Sequence, residues 1–149
     1  MHLRANDIEI NYVLEGPEGA PVVTFSHSLG SSMALWEAQA SLLVERFQVL
    51  RYDNRGHGDT EITPAPYSFK QFAEDVYALL QALSITRTHF VGLSNGGMIA
   101  QTLALAHPEF TELDHFLNYT LNDPRIIFQK AKLASLRAII ETPTGLIEL

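Results

Sequence analysis

The chain reads as an α/β protein with a mostly parallel sheet and flanking helices, and three observations predict it. Continuous apolar runs of strand length, PVVTFSH (21–27), FQVLRYD (47–53) and THFVGLS (88–94), have the composition of buried parallel strands. Segments with apolar residues at three- and four-residue steps separate them, the spacing of one helical face. Each run empties into a loop rich in glycine, serine or asparagine: SLGSSM, NRGHGDT and SNGG. Strands alternating with helices imply right-handed crossovers and a sheet whose ligands bind at the carboxyl ends of its strands. The three loops are therefore expected to share one edge, and any site to lie there.

In chain order, IEINYVL (8–14) alternates like a strand, pairing through a turn at Asn6-Asp7 with residues 2–5. GPEGAP (16–21) is a turn, and ALWEAQASLLV (34–44) has helical spacing. The strongest helix runs from Phe69 through Phe72, Ala73, Val76, Leu79, Leu80 and Leu83, with Ser68 and Gln71 as the start of a capping box. GGMIAQTLALAHP is a helix stopped near Pro108. ELDHFLNYT (112–120) is expected as a fourth buried-type strand and FQKAKLASLRAII (128–140) as a last helix.

Composition narrows the function. With 149 residues, 46% hydrophobic and 18% charged, the chain suits one ordinary core. A net charge of −7 argues against nucleic acid or an anionic membrane as partner. There is no cysteine, which removes thiol nucleophiles, disulfides and thiolate metal sites. MHLRANDIEINY lacks the apolar core of a signal peptide, and no run approaches the ~20 residues of a membrane span. A cytoplasmic protein is the expectation.

Gly92-Leu93-Ser94-Asn95-Gly96 fits G-x-S-x-G between a strand and a helix, the setting of a nucleophile elbow. Glycines flank the serine because the corner is too sharp for side chains there. The competing reading is a glycine-rich turn with Ser94 as an ordinary N-cap. An acyl-transfer site also needs two N–H donors aimed at the oxyanion. Asn95, directly after the serine, supplies one from its backbone. The loop Ser26-His27-Ser28-Leu29-Gly30 offers the second, from the Leu29 N–H, or is a plain connection.

The segments NYVLEGPEGAPVVTFSHSLGSSMALWEAQ, FQVLRYDNRGHGDT, PYSFKQFAEDVYALLQAL and HFVGLSNGGMIAQ together resemble the α/β-hydrolase fold. More closely, they resemble the 3-oxoadipate enol-lactonases, whose oxyanion loop reads N-S-L-G and whose elbow usually reads G-L-S-M-G-G. The likeness runs from about residue 8 to 108, and on to DPRIIFQKAKLASLRA as a first cap helix. His27 departs from the usual asparagine and Asn95 from the usual methionine. The resemblance implies that residues 1–120 are the N-terminal part of the hydrolase core and 121–149 the start of a cap. It places the last strands and most of the cap beyond residue 149. It further implies a small ester or lactone substrate lying between the SLGSSM loop and the cap, with His27, Met98 and Trp36 beside it. Trp36 suits the core equally well. No metal and no organic cofactor is implied.

A serine hydroxyl needs a histidine to take its proton and a carboxylate to orient that histidine, in the chain order Ser, acid, His for this fold. No histidine follows His115. His89 begins the strand that Ser94 ends, about 16 Å of extended backbone away. His107 lies at the far end of the following helix, while Asp114 and His115 face opposite ways on the expected fourth strand. His27 and His57 are on the correct edge, but Asp53, Arg55 and His57 suit a role in holding their own loop together. The acid and base are expected beyond residue 149. The expected function is hydrolysis of a carboxylic ester or lactone through an acyl-serine, 3-oxoadipate enol-lactone leading. A carboxylesterase or perhydrolase, or a catalytically incomplete piece, stands as the alternative. An exposed edge at ELDHFLNYT would favour self-association.

Overall fold

The computed structural model describes residues 1–107 and the backbone of two short strands, 141–142 and 145–146. The expected strand 112–120, the helix 128–140 and the boundary at 120/121 lie outside the described residues.

Strands β1 (His2–Ala5) and β2 (Ile8–Glu15) form the expected hairpin, Ala5 opposite Ile8 and His2 opposite Asn11. Its two turn residues, Asn6 and Asp7, both have positive φ, 47° and 63°. Asparagine and aspartate bear that conformation better than other side chains, and the resulting turn matches the strand twist. Strands β3 (Val22–Ser26), β4 (Gln48–Tyr52) and β5 (His89–Gly92) are mutually parallel, and β2 joins β4 antiparallel. The order across the five-stranded sheet is β1-β2-β4-β3-β5. A separate two-stranded pairing, β6 (Glu141–Thr142) with β7 (Gly145–Leu146), ends the described backbone.

Alternation along the central strands sorts their side chains into two cores. Val23 and Phe25 of β3, Val49 of β4 and Val91 of β5 face Ala40 and Leu43 of helix α1 (Glu37–Leu43), with Trp36 just before it. Leu50, Tyr52 and Phe90 face the other way, onto α2 (Phe69–Ala82) and α3 (Asn95–Ala106). Val76, Leu79 and Leu80 of α2 are fully buried, each worth about 1.5–3 kcal/mol of transfer energy. Of the apolar stripe read from the sequence, Phe69 departs: at the mouth of α2 it is 41% exposed. Ser68 caps α2 by accepting the Gln71 N–H at 3.1 Å.

The helix expected over 34–44 begins instead as a 3-10 turn, Met33–Trp36. The Ser32 side chain makes no cap bond, and the Met33 N–H is drawn to the Asp53 carboxylate at 2.7 Å. The regular α1 starts only at Glu37.

One ion pair ties distant segments below the loops. Arg55 donates from Nε and Nη2 to the two oxygens of Asp75 at 2.8 and 2.5 Å, a bidentate fork. Asn6 Nδ2 donates to the same carboxylate at 2.6 Å. The β1–β2 turn, the loop after β4 and helix α2 thus meet at Asp75, and this hydrogen bonding raises the Arg55 pKa further above its ordinary value. Both side chains are nearly buried, 7% and 5% exposed. Removing one partner strands a buried charge, so Asp75→Asn is expected to cost about 3–5 kcal/mol in urea unfolding. Arg51 pairs with a Glu15 side chain that is 48% exposed, so Glu15→Gln should shift stability by at most about 1 kcal/mol.

Candidate active site

The end of β5 turns into α3 through Ser94, whose backbone sits at φ 51° and ψ −109°. For a residue with a Cβ this half of the map costs about 1–3 kcal/mol. Two glycines make the corner possible. A Cβ at Gly92 would run into the backbone of Gly96 and Gly97, and one at Gly96 into the carbonyls of Ser26 and His27. The second contact presses the start of α3 against the end of β3. The Leu93 N–H donates to the Ser26 carbonyl at 3.1 Å and fixes the same approach.

Ser94 occupies the N-cap position of α3, yet its side chain makes no cap hydrogen bond. The ordinary N-cap alternative is therefore not what the structure shows. The half-buried serine stands at a helix start, where unpaired N–H groups and the helix dipole favour negative charge. Among the described residues, neither the Asn95 nor the Leu29 N–H donates to a backbone carbonyl. The Asn95 side chain has its Nδ2 buried without a partner among the described residues, a feature that residue type alone does not signal.

The structure corrects the expected substrate contacts at His27 and Trp36. Leu29 is 72% exposed, in a turn closed by the Ser31 N–H on the Ser28 carbonyl at 3.3 Å. His27 was expected beside substrate, but its side chain has no exposed surface. Its Nε2 accepts the Asn54 N–H at 3.0 Å, so Nδ1 carries the proton and donates to the Ser28 carbonyl at 2.8 Å. Burial lowers its pKa, opposed by the Ser28 bond, so the ring is neutral at pH 7. Trp36 is core rather than lining: it packs on Phe25 with ring centroids 4.8 Å apart. Met98, also expected beside substrate, lies on the first turn of α3 with 38% of its surface exposed.

Asp53 organises the loops from beneath. Its Oδ1 accepts the Met33 N–H, and its Oδ2 accepts Asn11 Nδ2 at 2.8 Å and the Asp59 N–H at 3.1 Å. Gly58 (φ 50°) is needed because the Asp53 carboxylate occupies the space its Cβ would take. Asp53, Arg55 and His57 thus serve architecture, as the sequence suggested, though Arg55 reaches beyond its loop to α2. His57 donates from Nδ1 to the Arg55 carbonyl at 3.0 Å, and its ring lies 5.2 Å from that of His27. His107 contacts Glu74 and stacks on Tyr77 between α3 and α2, far along the helix from Ser94. Among the described residues no histidine is hydrogen-bonded to Ser94, no cluster of His, Asp and Glu could hold a metal, and no helix is long and apolar enough to cross a membrane. Asn54 grips His27 from the neighbouring loop, which the sequence did not lead one to expect. Its key donor is a backbone N–H, which every residue but proline has, so the sequence held no signal for it.

Residues 21–125 match the family described as alpha/beta hydrolase fold, and the chain belongs to that family. It is similar to 3-oxoadipate enol-lactonase 2 of Acinetobacter baylyi, 38% identical over 107 residues, which cover 72% of this chain and 40% of the relative. Among solved structures it resembles the enol-lactonase from Burkholderia xenovorans LB400, with a TM-score of 0.73 and 38% identity over 75% of this chain and 44% of the other. It also resembles Est816, described as an N-acyl homoserine lactone degrading enzyme, with a TM-score of 0.72 and 35% identity over 79% and 44% of the two chains. The chain spans less than half the length of each of these proteins.

The strain at Ser94 predicts an opposition between stability and chemistry. Ser94→Gly relieves about 1–3 kcal/mol of backbone strain and gives back about 0.5–1 kcal/mol in unfolded-state freedom. A net gain of about 1 kcal/mol over Ser94→Ala is expected in urea titrations of the two variants. Equal stability of the two would show the corner to be relaxed.

Proposed function

We propose that this chain carries the nucleophile and oxyanion half of a serine hydrolase acting on a carboxylic ester or lactone. The observation that carries the reading is Ser94 itself. A non-glycine residue is held at φ 51° with a hydroxyl uncommitted to the helix it begins, next to N–H groups that no backbone carbonyl occupies. A fold bears such strain where function uses it.

In this reading Ser94 Oγ attacks the carbonyl carbon of the ester. The Asn95 and Leu29 N–H groups take up the charge that develops on the carbonyl oxygen, a contribution worth about 3–4 kcal/mol per donor in comparable sites. Collapse of the tetrahedral intermediate expels the alkoxide or enolate and leaves an acyl-serine, which water then hydrolyses. In a lactone both products of the first step stay on one molecule, tethered to Ser94 until deacylation. The relatives named for lactones favour that substrate class, with 3-oxoadipate enol-lactone foremost. The proton acceptor for Ser94 is assigned to a histidine outside the described residues. Within them, His27 has both ring nitrogens engaged and His57 holds its own loop.

A fluorophosphonate probe tests the reading. Labelling of the folded chain at Ser94, abolished in Ser94→Ala, is expected wherever the proton acceptor is present. Folded protein carrying that acceptor and left unlabelled would end the proposal. Initial rates on an enol-lactone and on p-nitrophenyl acetate would then rank lactone against simple ester.

A further inference from the structure

His27 lies two residues before Leu29, beneath the oxyanion loop, and is fully buried. Its Nδ1–H bonds the Ser28 carbonyl at 2.8 Å, the shorter of two bonds to that oxygen, the other coming from the Ser31 N–H at 3.3 Å. That carbonyl and the Leu29 N–H are opposite ends of one peptide unit. The unit is planar and trans, so fixing the direction of the C=O fixes the N–H in the opposite direction. The ring cannot turn freely to release it. On its far side Nε2 accepts the Asn54 N–H at 3.0 Å, and Asn54 Nδ2 reaches the His27 carbonyl at 3.4 Å. Asn54 is itself buried, and the adjacent Asp53 carboxylate anchors the same two loops through the Met33 and Asp59 N–H groups.

We infer that His27 is a positioning residue: as a neutral imidazole wedged between Ser28 and Asn54, it aims the Leu29 N–H that the proposed hydrolase uses as an oxyanion donor. The inference rests on that reading for its chemistry but not for its geometry. It also explains why a histidine without exposed surface stands at the head of the loop. Burial keeps the ring neutral, and the neutral ring is the form that can donate on one side while accepting on the other. A protonated ring would present N–H to N–H at Asn54 and lose that anchor. The charged and titratable groups around it are His57, whose ring is 5.2 Å away, and Asp53.

Two substitutions separate the two ends of the ring. In His27→Asn the side-chain Nδ2 takes the place of Nδ1, so the Ser28 bond survives and the Asn54 bond is lost. In His27→Gln the side-chain Oε1 takes the place of Nε2, so the Asn54 bond survives and the Ser28 bond is lost. The experiment is NMR of the native chain and both variants, combined with the rate of fluorophosphonate labelling at Ser94. The native ring should show the Nδ1–H tautomer at pH 7. The Ser31 N–H also donates to the Ser28 carbonyl, at 3.3 Å, so the hydrogen-bonded shift of that carbonyl carbon should persist in full in His27→Asn and diminish in His27→Gln. Labelling should fall by about 100-fold in His27→Gln, as when an oxyanion donor is lost. It should stay within about tenfold of native in His27→Asn, the cost of one ordinary hydrogen bond. An Nε2–H tautomer in the native chain would overturn the inference, as would equal behaviour of the two variants. The ring tautomer needs no variant to fold. Absence of labelling in native protein that carries the proton acceptor would count against the hydrolase reading alone, since tautomer and carbonyl shift still decide how the Leu29 peptide is held.

Discussion

The site depends on one close approach between backbones. The start of α3 lies against the end of β3 with nothing but the hydrogens of Gly96 between them, and the Leu93 N–H reaches across to the Ser26 carbonyl. These are the exits of adjacent parallel strands, so the loop carrying Leu29 and the corner carrying Ser94 leave the sheet side by side. Everything proposed about the oxyanion requires that adjacency. It is set by the absence of a side chain, whereas most cores are set by the presence of one. The strain at Ser94 follows from it, because the chain must turn into α3 within two residues of the strand end, Leu93 and Ser94.

Holding the adjacent loops is a polar task, carried out below the surface. Asp53, Asn54 and His27 are all buried and all hydrogen-bonded, and between them they join β2 and the loops after β3 and β4. Buried polar groups are costly when unpaired, and a satisfied set admits one arrangement only. Apolar packing on its own tolerates sliding by a fraction of an ångström, which an N–H donor aimed at a developing charge does not. The Arg55–Asp75 pair has the same role deeper in the fold, tying the loop after β4 to α2. The division of labour is therefore clear: apolar faces place the strands and helices, and buried polar contacts fix the loops at their ends.

The sequence disclosed the first of these layers well. Period-two and period-3.6 patterns located the hairpin at Asn6-Asp7, the three parallel strands and helix α2, because hydrophobic sorting is written directly in residue type. The elbow was legible too, since few backbones other than a sharp corner call for glycine on both sides of Ser94. What stayed hidden depends on direction more than on type. Trp36 has the same apolar character whether it lines a cleft or packs on Phe25, and only the 3-10 turn that precedes α1 decides between them. His27 looked like a side chain for substrate because it sits in the right loop, yet its ring points down to Asn54. Asp75 was hidden inside an apolar stripe, and its buried partner Arg55 comes from a loop twenty residues earlier.

The central claim, that α3 abuts β3 at Gly96, can be tested by the sign of one stability change. In an open helix alanine is favoured over glycine by about 1 kcal/mol. At position 96 that gain is opposed by a Cβ forced into the carbonyls of Ser26 and His27, an overpacking that costs about 1–3 kcal/mol or more and cannot be relieved by a side-chain rotation. Urea unfolding of Gly96→Ala should therefore show a net loss of stability. A variant stabilised by about 1 kcal/mol, the ordinary helical preference, would contradict the account, because it would mean that the two strand exits do not meet.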